Sequence, residues 1–360
     1  MSVDVIKTRL DKLRAKLIEK ELDAVLITKR ENYLYFSGFT GSFAFLVVTK
    51  EAAVLMTDFR YMEQASMQAP LYEIVEYKNS QTAGLNEILR ARNIKKLGFE
   101  DSNLTYEKYL EFYNNLDVRK FIPLGASIES IRMIKDLHEI NVITKAVEIA
   151  DKAFEHILNY LKPGATELEI AAELEFKMKK LGAKAASFET IVASGKRSSM
   201  PHGVASEKKL EMGDTITMDF GAVFEDYCSD MTRTVFLGQP GKEMVEIYNT
   251  VLKAQLEGLN GARAGLSGKE IDGMSRKIIY DSGYEGKFGH GLGHGVGLEI
   301  HEEPRLSPLG SFKMEDGMVV TVEPGIYVNG LGGVRIEDMV VINGNKPIVL
   351  TKSPKNFIIL

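Results

Sequence analysis

Two acidic residues lie inside apolar runs, where a carboxylate loses its hydration: Asp219 in TITMDFG and Glu323 in VVTVEPG. Each is followed by a second acid, Asp230 in YCSDMTRTV and Glu337 in GGVRIEDMVV. The spacings are 11 residues (219 to 230) and 14 residues (323 to 337). A single such acid reads as a strand end facing water. Four in matching settings read as convergence on cations, because clustered carboxylates repel and otherwise one must take a proton. Residues 288–304, FGHGLGHGVGLEIHEEP, add three of the six histidines: His290, His294 and His301. The alternating glycines reject a helix here, HGLGH lacks the glutamate of H-E-x-x-H, and GHGLGHGVG does not satisfy G-x-G-x-x-G. On an extended strand, positions 290 and 294 share a face, and glycine lets a backbone or a substrate come close. Carboxylates with one imidazole suit hard or borderline ions, manganese foremost, with cobalt, zinc or iron also fitting. Two ions sharing carboxylates sit roughly 3.5–4 Å apart and hold a hydroxide between them. Histidines not used as ligands could steady the oxyanion of an attacked carbonyl.

A repeat positions these groups. LKPGATELEIAAELEFKMKKLG, from Leu161, matches ARAGLSGKEIDGMSRKIIYDSGY, from Ala262. At a shift of 101 residues Gly164 falls on Gly265, Thr166 on Ser267, Glu169 on Glu270 and Gly182 on Gly283. Thr166/Glu169 and Ser267/Glu270 have capping-box spacing, so each opens a helix. Amphipathic helices are expected before each copy, over 143–161 and 244–259. The strands EMGDTITMDFG and EDGMVVTVEPG follow, each bringing its acid six residues after a glycine, Gly213 or Gly317. Two helix–helix–sheet halves, each giving two carboxylates from a hairpin, make a pseudo-twofold domain with a longer second turn.

The first third alternates helical and strand patterns: Ile6, Leu10, Leu13 and Leu17 at helical spacing, then AVLI, a hairpin of FAFLVVT and AAVLMT, and later strands EIVEY, KLGFE and KFIPL between helices. An α/β domain with a mixed sheet is expected over 1–125, a linker over 126–136 and the repeated domain over 137–360. The 360-residue length agrees with two domains. A net charge of −5 gives nucleic acid or an anionic membrane no reason to bind. One cysteine, Cys228, no apolar leader at the amino terminus and no membrane-length apolar run make a cytoplasmic protein the expectation.

The motifs MDFG, SDMTRT, HGLGHGVGLEIHEEP, VEPGIY and RIED, in this order, resemble the pita-bread metallopeptidases, specifically the Xaa-Pro branch containing prolidase and aminopeptidase P. TDFRYMEQA (57–65) is similar to the creatinase-type amino-terminal domain found there, so the resemblance spans nearly the full chain. It implies an α/β (α+β) fold and a dinuclear exopeptidase that hydrolyses the Xaa-Pro bond. Its ligands would be Asp219, Asp230, His294, Glu323 and Glu337, with Asp230 and Glu337 bridging two divalent ions. By the same resemblance His202 of SMPHG and His301 assist the tetrahedral intermediate, and Glu323 relays a proton to the leaving nitrogen. His290 shapes the proline side, while Tyr327 and Arg335 orient the site. Arg305 either captures the carboxylate of a dipeptide or is a surface arginine after a proline. The aromatic loop from Asn32 to Ser42 would reach a partner's cleft in a homodimer. Methionine aminopeptidase lacks the extra domain, creatinase works without metal, and non-catalytic peptide- or histone-binding relatives have lost their ligands. A two-metal phosphoesterase would want more basic groups than Arg305 and Arg335.

Overall fold

The computed structural model describes residues 2–360, which form two compact units, one ending at Arg132 and one spanning Met133–Leu360. In the first, the stripe of Ile6, Leu10, Leu13 and Leu17 is the buried face of the helix Val3–Glu19, whose Val5 amide donates to the Ser2 hydroxyl. Six strands follow: β1 (Ala24–Ile27), β2 (Phe45–Thr49), β3 (Ala53–Thr57), β4 (Glu73–Glu76), β5 (Lys96–Phe99) and β6 (Lys120–Pro123). Their order is β4-β3-β2-β1-β5-β6. β1, β2 and β3 pair antiparallel, and the outer strands join in parallel, so the sheet is mixed. The stretch 32–42 is not a loop throughout. Arg30–Ser37 is a helix, and Tyr33, Tyr35, Phe36 and Phe39 are all buried in their own unit. Burial of so much ring surface fixes these four rings in place. The short helix Glu129–Met133 lies in the stretch read as a linker, and Arg132 donates to Asn32 Oδ1 at 2.7 Å.

In the second unit each half begins with two helices: Leu137–Ile157 and Glu167–Lys180, then Lys242–Gly261 and Gly268–Asp281. The first starts six residues before the expected 143, because Asp136 and Glu139 form a capping box ahead of the apolar stripe. Both expected boxes also form, Thr166 with Glu169 and Ser267 with Glu270. Gly164 and Gly265 adopt φ of +93° and +89° with open space where a Cβ would stand, so backbone conformation, not crowding, calls for glycine there.

The first half then builds β7 (Ala185–Ala186), β8 (Ile191–Ser194), β9 (Thr215–Phe220), β10 (Ala222–Phe224), β11 (Tyr227–Cys228) and β12 (Met231–Phe236). The second builds β13 (Gly293–Gly295), β14 (Glu302–Leu306), β15 (Val319–Val322), β16 (Gly325–Val328), β17 (Gly332–Arg335), β18 (Asp338–Val341) and β19 (Ile348–Val349). In each half a long antiparallel pair, β9 with β12 and β15 with β18, encloses a short hairpin, β10–β11 or β16–β17. The register sets Thr232 opposite Asp219 and Asp338 opposite Val322, which brings each pair of acids to one end of its ladder. The three extra residues of the second half sit in the longer β16–β17 hairpin. Separate apolar clusters back the halves, one around Phe154, Leu174 and Met218, the other around Ile247, Ile271 and Val320. Among the described residues no helix is long and apolar enough to cross a membrane.

Replacing Gly265 with alanine should cost about 1–2 kcal/mol, because the left-handed backbone must be kept with a Cβ. A urea midpoint unchanged from the parent protein would show that this turn relaxes freely.

Candidate metal centre

Strand ends supply the acids. Asp219 is near the end of β9, Asp230 precedes β12, Glu323 follows β15 and Glu337 precedes β18. His294 is the middle residue of β13, between two glycines that have no room for a side chain. A Cβ on Gly293 would meet the Thr321 carbonyl oxygen at 2.0 Å, and one on Gly295 would meet that of Glu303 at 2.3 Å. The glycines around His294 therefore admit neighbouring backbone on both sides. His290 is not on this strand; it lies in a bend three residues before it. The glycine-rich run leaves the sheet at Leu292, whose amide donates to Asp272.

The side chains converge. Asp230, His294 and Glu337 are buried, and each offers one ligand atom within 4.8 Å of the other two. His294 Nε2 stands 3.3 Å from Glu323 Oε1 and 3.6 Å from Asp230 Oδ2. Its Nδ1 faces the Gly295 carbonyl at 3.1 Å, which directs Nε2 at the acids. A proton on Nε2 forms an ion pair there; a metal cation in its place makes Nε2 a ligand. Asp219 Oδ2 accepts from Arg335 Nη2 at 2.6 Å, and Glu337 Oε2 accepts from the Thr232 hydroxyl at 2.7 Å. Three further oxygens, Asp219 Oδ1, Asp230 Oδ1 and Glu337 Oε1, are buried without a hydrogen-bond partner among the described residues. Three orphaned carboxylate oxygens beside one imidazole are a donor set that divalent ions satisfy. The residues fit the group.

Electrostatics agree. Burial, reinforced by Glu337 and Asp219, pushes Asp230 well above the usual carboxylate range. Burial also raises Glu337 well above it, with Glu323 and Asp219 adding repulsion. Asp219 rises less, since Arg335 opposes its burial. Burial would raise Glu323 too, but the hydrogen bond and charge of His294 outweigh it and hold the acid down to about 2. The four acids thus differ: Asp230 and Glu337 are raised most, Asp219 less, and Glu323 is lowered.

A cleft of about 480 Å³ opens on this cluster, within the range of small-ligand sites. His202, His290, His301 and Arg305 all line it. His301 packs edge-on against His294 at 4.4 Å, and burial with the neighbouring His294 and Arg305 lowers its pKa to about 4. His290 is also held down, chiefly by burial. Its Nε2 meets the Tyr327 hydroxyl at 2.9 Å, which accepts from Arg335 Nη1 at 2.8 Å. Tyr327 itself borders the cleft only through these bonds. Arg335 and Glu337 do not share one strand: β17 ends at Arg335 and β18 begins at Asp338, yet both side chains meet the Thr232 hydroxyl.

Sequence reasoning missed Thr232 and Thr321. Thr321 accepts from the His294 amide and donates to Glu323. Each threonine stands two residues from an acid just beyond the end of its strand, Asp230 or Glu323, and that spacing was the available signal. Phe188 and Ile191, which line the cleft, carried no such signal.

The chain belongs to metallopeptidase family M24, whose model matches residues 141–344, and the Creatinase/Prolidase N-terminal domain model matches residues 9–134. Among solved structures, the Xaa-Pro dipeptidase from Bacillus anthracis superposes with a TM-score of 0.97 at 47% identity, covering 99% of this chain and 100% of that one. The X-Pro aminopeptidase from Thermotoga maritima gives 0.91 at 39% identity, covering 98% and 99%. The Xaa-Pro dipeptidase of Pyrococcus furiosus is 41% identical over 98% of this chain and 100% of its own.

Asp230 and Glu337 keep their protons above the usual carboxylate range, so a binding metal must displace those protons. Manganese affinity should therefore keep rising with pH beyond about pH 5, where ordinary carboxylates are already largely ionised. Calorimetric titrations giving a pH-independent affinity above that point would contradict the protonation assigned here.

Proposed function

We propose that this protein is a metal-dependent exopeptidase that hydrolyses the Xaa-Pro bond at the amino terminus of dipeptides or short peptides. The observation that carries this reading is the set of buried, unpartnered oxygens on Asp219, Asp230 and Glu337, facing His294 beneath a cleft of dipeptide size. Asp219, Asp230, His294, Glu323 and Glu337 would hold two divalent ions, manganese being the ion an oxygen-rich set favours, with cobalt, zinc or iron as substitutes. When bound, such a pair activates a water and polarises the scissile carbonyl.

The chain's own groups do the rest. An Xaa-Pro bond is a tertiary amide whose nitrogen has no hydrogen and departs only with a proton. Glu323, whose carboxylate lies 3.3 Å from His294 Nε2, would collect a proton from the attacking water and hand it to that nitrogen. His202 and His301 lie across the cleft as hydrogen-bond donors to the oxyanion. The low pKa of His301 keeps it neutral near pH 7, so it donates without adding positive charge beside the cations. His290, fixed by Tyr327 and Gly291, walls the side that receives the proline ring. Arg335 holds Asp219 and the Pro201 carbonyl in place. Arg305 lines the cleft and is exposed there, and in the dipeptidase reading it would capture the substrate's carboxylate. A homodimer and a cytoplasmic setting complete the proposal. They rest on the family resemblance and on the single buried Cys228.

Metal-stripped protein reloaded with Mn²⁺ should cleave Xaa-Pro dipeptides, and silence with every divalent ion would end the enzyme reading. Asp230→Ala should reduce turnover to background. Arg305→Ala should raise KM for dipeptides roughly tenfold to a hundredfold, the worth of a charge-assisted hydrogen bond, while moving Xaa-Pro-Yaa tripeptides much less. Equal effects on both substrate lengths would assign Arg305 to another role.

A further inference from the structure

Glu167 is the first residue of the helix Glu167–Lys180, and its side chain is wholly buried. Helix capping does not explain it, because Thr166 and Glu169 already form the box. The repeat supplies a control: at the equivalent place the second half has Gly268, with the same box formed by Ser267 and Glu270. The backbone setting is also shared. Gly164 and Leu168 donate to the Leu210 and Ser206 carbonyls, as Gly265 and Lys269 donate to those of Met314 and Gly310. At Gly268, however, a Cβ would meet the Arg305 carbonyl oxygen at 2.0 Å, so backbone closes in the second half the space that the Glu167 side chain fills in the first, and the buried carboxylate belongs to the first half alone.

All five of its hydrogen-bond donors lie in one segment, 194–206. Oε1 accepts from the Ser194 amide at 2.7 Å and its hydroxyl at 2.8 Å. Oε2 accepts from Arg197 Nε at 3.0 Å, the Ser206 amide at 3.1 Å and the Ser206 hydroxyl at 2.6 Å. This segment carries His202. The opposite side of the segment is tied to the metal centre's own strand: the Gly333 amide donates to Ser198 Oγ at 2.8 Å, and Arg335 Nη1 donates to the Pro201 carbonyl at 3.1 Å. His202 is exposed on the cleft wall and its ring makes no hydrogen bond among the described residues, so the backbone of this loop sets its place.

We infer that Glu167 is a positioning residue for the reaction: a buried carboxylate that gathers both ends of the 194–206 loop and thereby holds His202 over the substrate carbonyl. This rests on the exopeptidase reading above for the role of His202, but not for the anchor itself. Displacement of a catalytic group by about 1 Å can cost a hundredfold in rate, and Glu167 lies outside the metal set. Its loss should accordingly lower kcat while leaving metal affinity unchanged.

The test is a double-mutant cycle. Glu167→Gln should lower kcat on an Xaa-Pro dipeptide about tenfold to a hundredfold, with KM and calorimetric Mn²⁺ affinity near those of the parent. In a His202→Ala background the same substitution should change kcat less than about twofold, since the group it positions is gone. Equal losses in both backgrounds, or an unchanged kcat, would overturn the inference. If Glu167→Gln does not fold, Ser206→Ala is the gentler variant, removing one hydroxyl donor and leaving the carboxylate in place. Its kcat loss should vanish in the His202→Ala background in the same way; a loss that persists there also overturns the inference. Tryptic cleavage after Lys196 and Arg197, which needs no activity, should be faster in Glu167→Gln than in the parent. Unaltered cleavage would refute the anchor, whereas faster cleavage in a protein inert toward Xaa-Pro would refute the exopeptidase reading alone.

Discussion

The second unit is organised around the cost of keeping four carboxylates out of water at one point. Coulomb repulsion and lost hydration both oppose it, and protein groups offset only part of the charge. Arg335 neutralises Asp219 and His294 faces Glu323, but Asp230 and Glu337 are left with raised proton affinities and a bare oxygen each. An arrangement so unfavourable without added cations persists only because the surrounding sheets fix it. Rigid antiparallel ladders, backed by two apolar clusters, prevent the acids from swinging apart to water.

The pseudo-twofold plan explains how one fold brings four acids together without a long-range coincidence. Each half ends its long ladder with two acids, and a single contact between halves then assembles the set. That contact is dense in hydrogen bonds: Arg233 donates to the Glu337 carbonyl and pairs with Asp338, while Thr234 donates to the Arg335 carbonyl. The Glu337 amide in turn donates to the Thr232 carbonyl at 3.1 Å. Strand edges carrying ligands of opposite halves are thus joined through backbone, which moves least.

Much of this was legible in the sequence because it rests on local rules. Capping boxes depend on residues a few positions apart, and the repeat compares two such local patterns, so together they placed the helices and the acid-bearing strands. Asn32 to Ser42 went astray because aromatic residues interrupted by glycine look alike in a loop and in a short buried helix; only the burial of Tyr35 and Phe36 against the rest of their unit distinguishes them. His290 was assigned to the strand of His294 by period alone, and the chain bends before β13 because Asp272 captures the Leu292 amide, a contact across 20 residues. Glu167 was invisible as more than a helix residue, since its five donors come from a loop that no local pattern ties to it.

The threonines show how the bare oxygens are kept bare. A hydroxyl has one proton to donate. Thr232 commits it to Glu337 Oε2 and receives Arg335 Nε, so nothing remains to satisfy Oε1. Thr321 does the same in the other half, donating to Glu323 Oε1 while accepting the His294 amide. Arg335 likewise takes Asp219 Oδ2 and leaves Oδ1. Glu337 and Asp219 are therefore each anchored by one oxygen, which fixes the direction of the plane, and keep the other bare, whereas Glu323 turns its anchored oxygen toward His294. Doubly bonded acids would be more stable in the absence of cations but would have fewer lone pairs to offer, and unbonded ones would rotate. Anchoring through one oxygen is the arrangement that keeps both orientation and ligand capacity in a site built for cations.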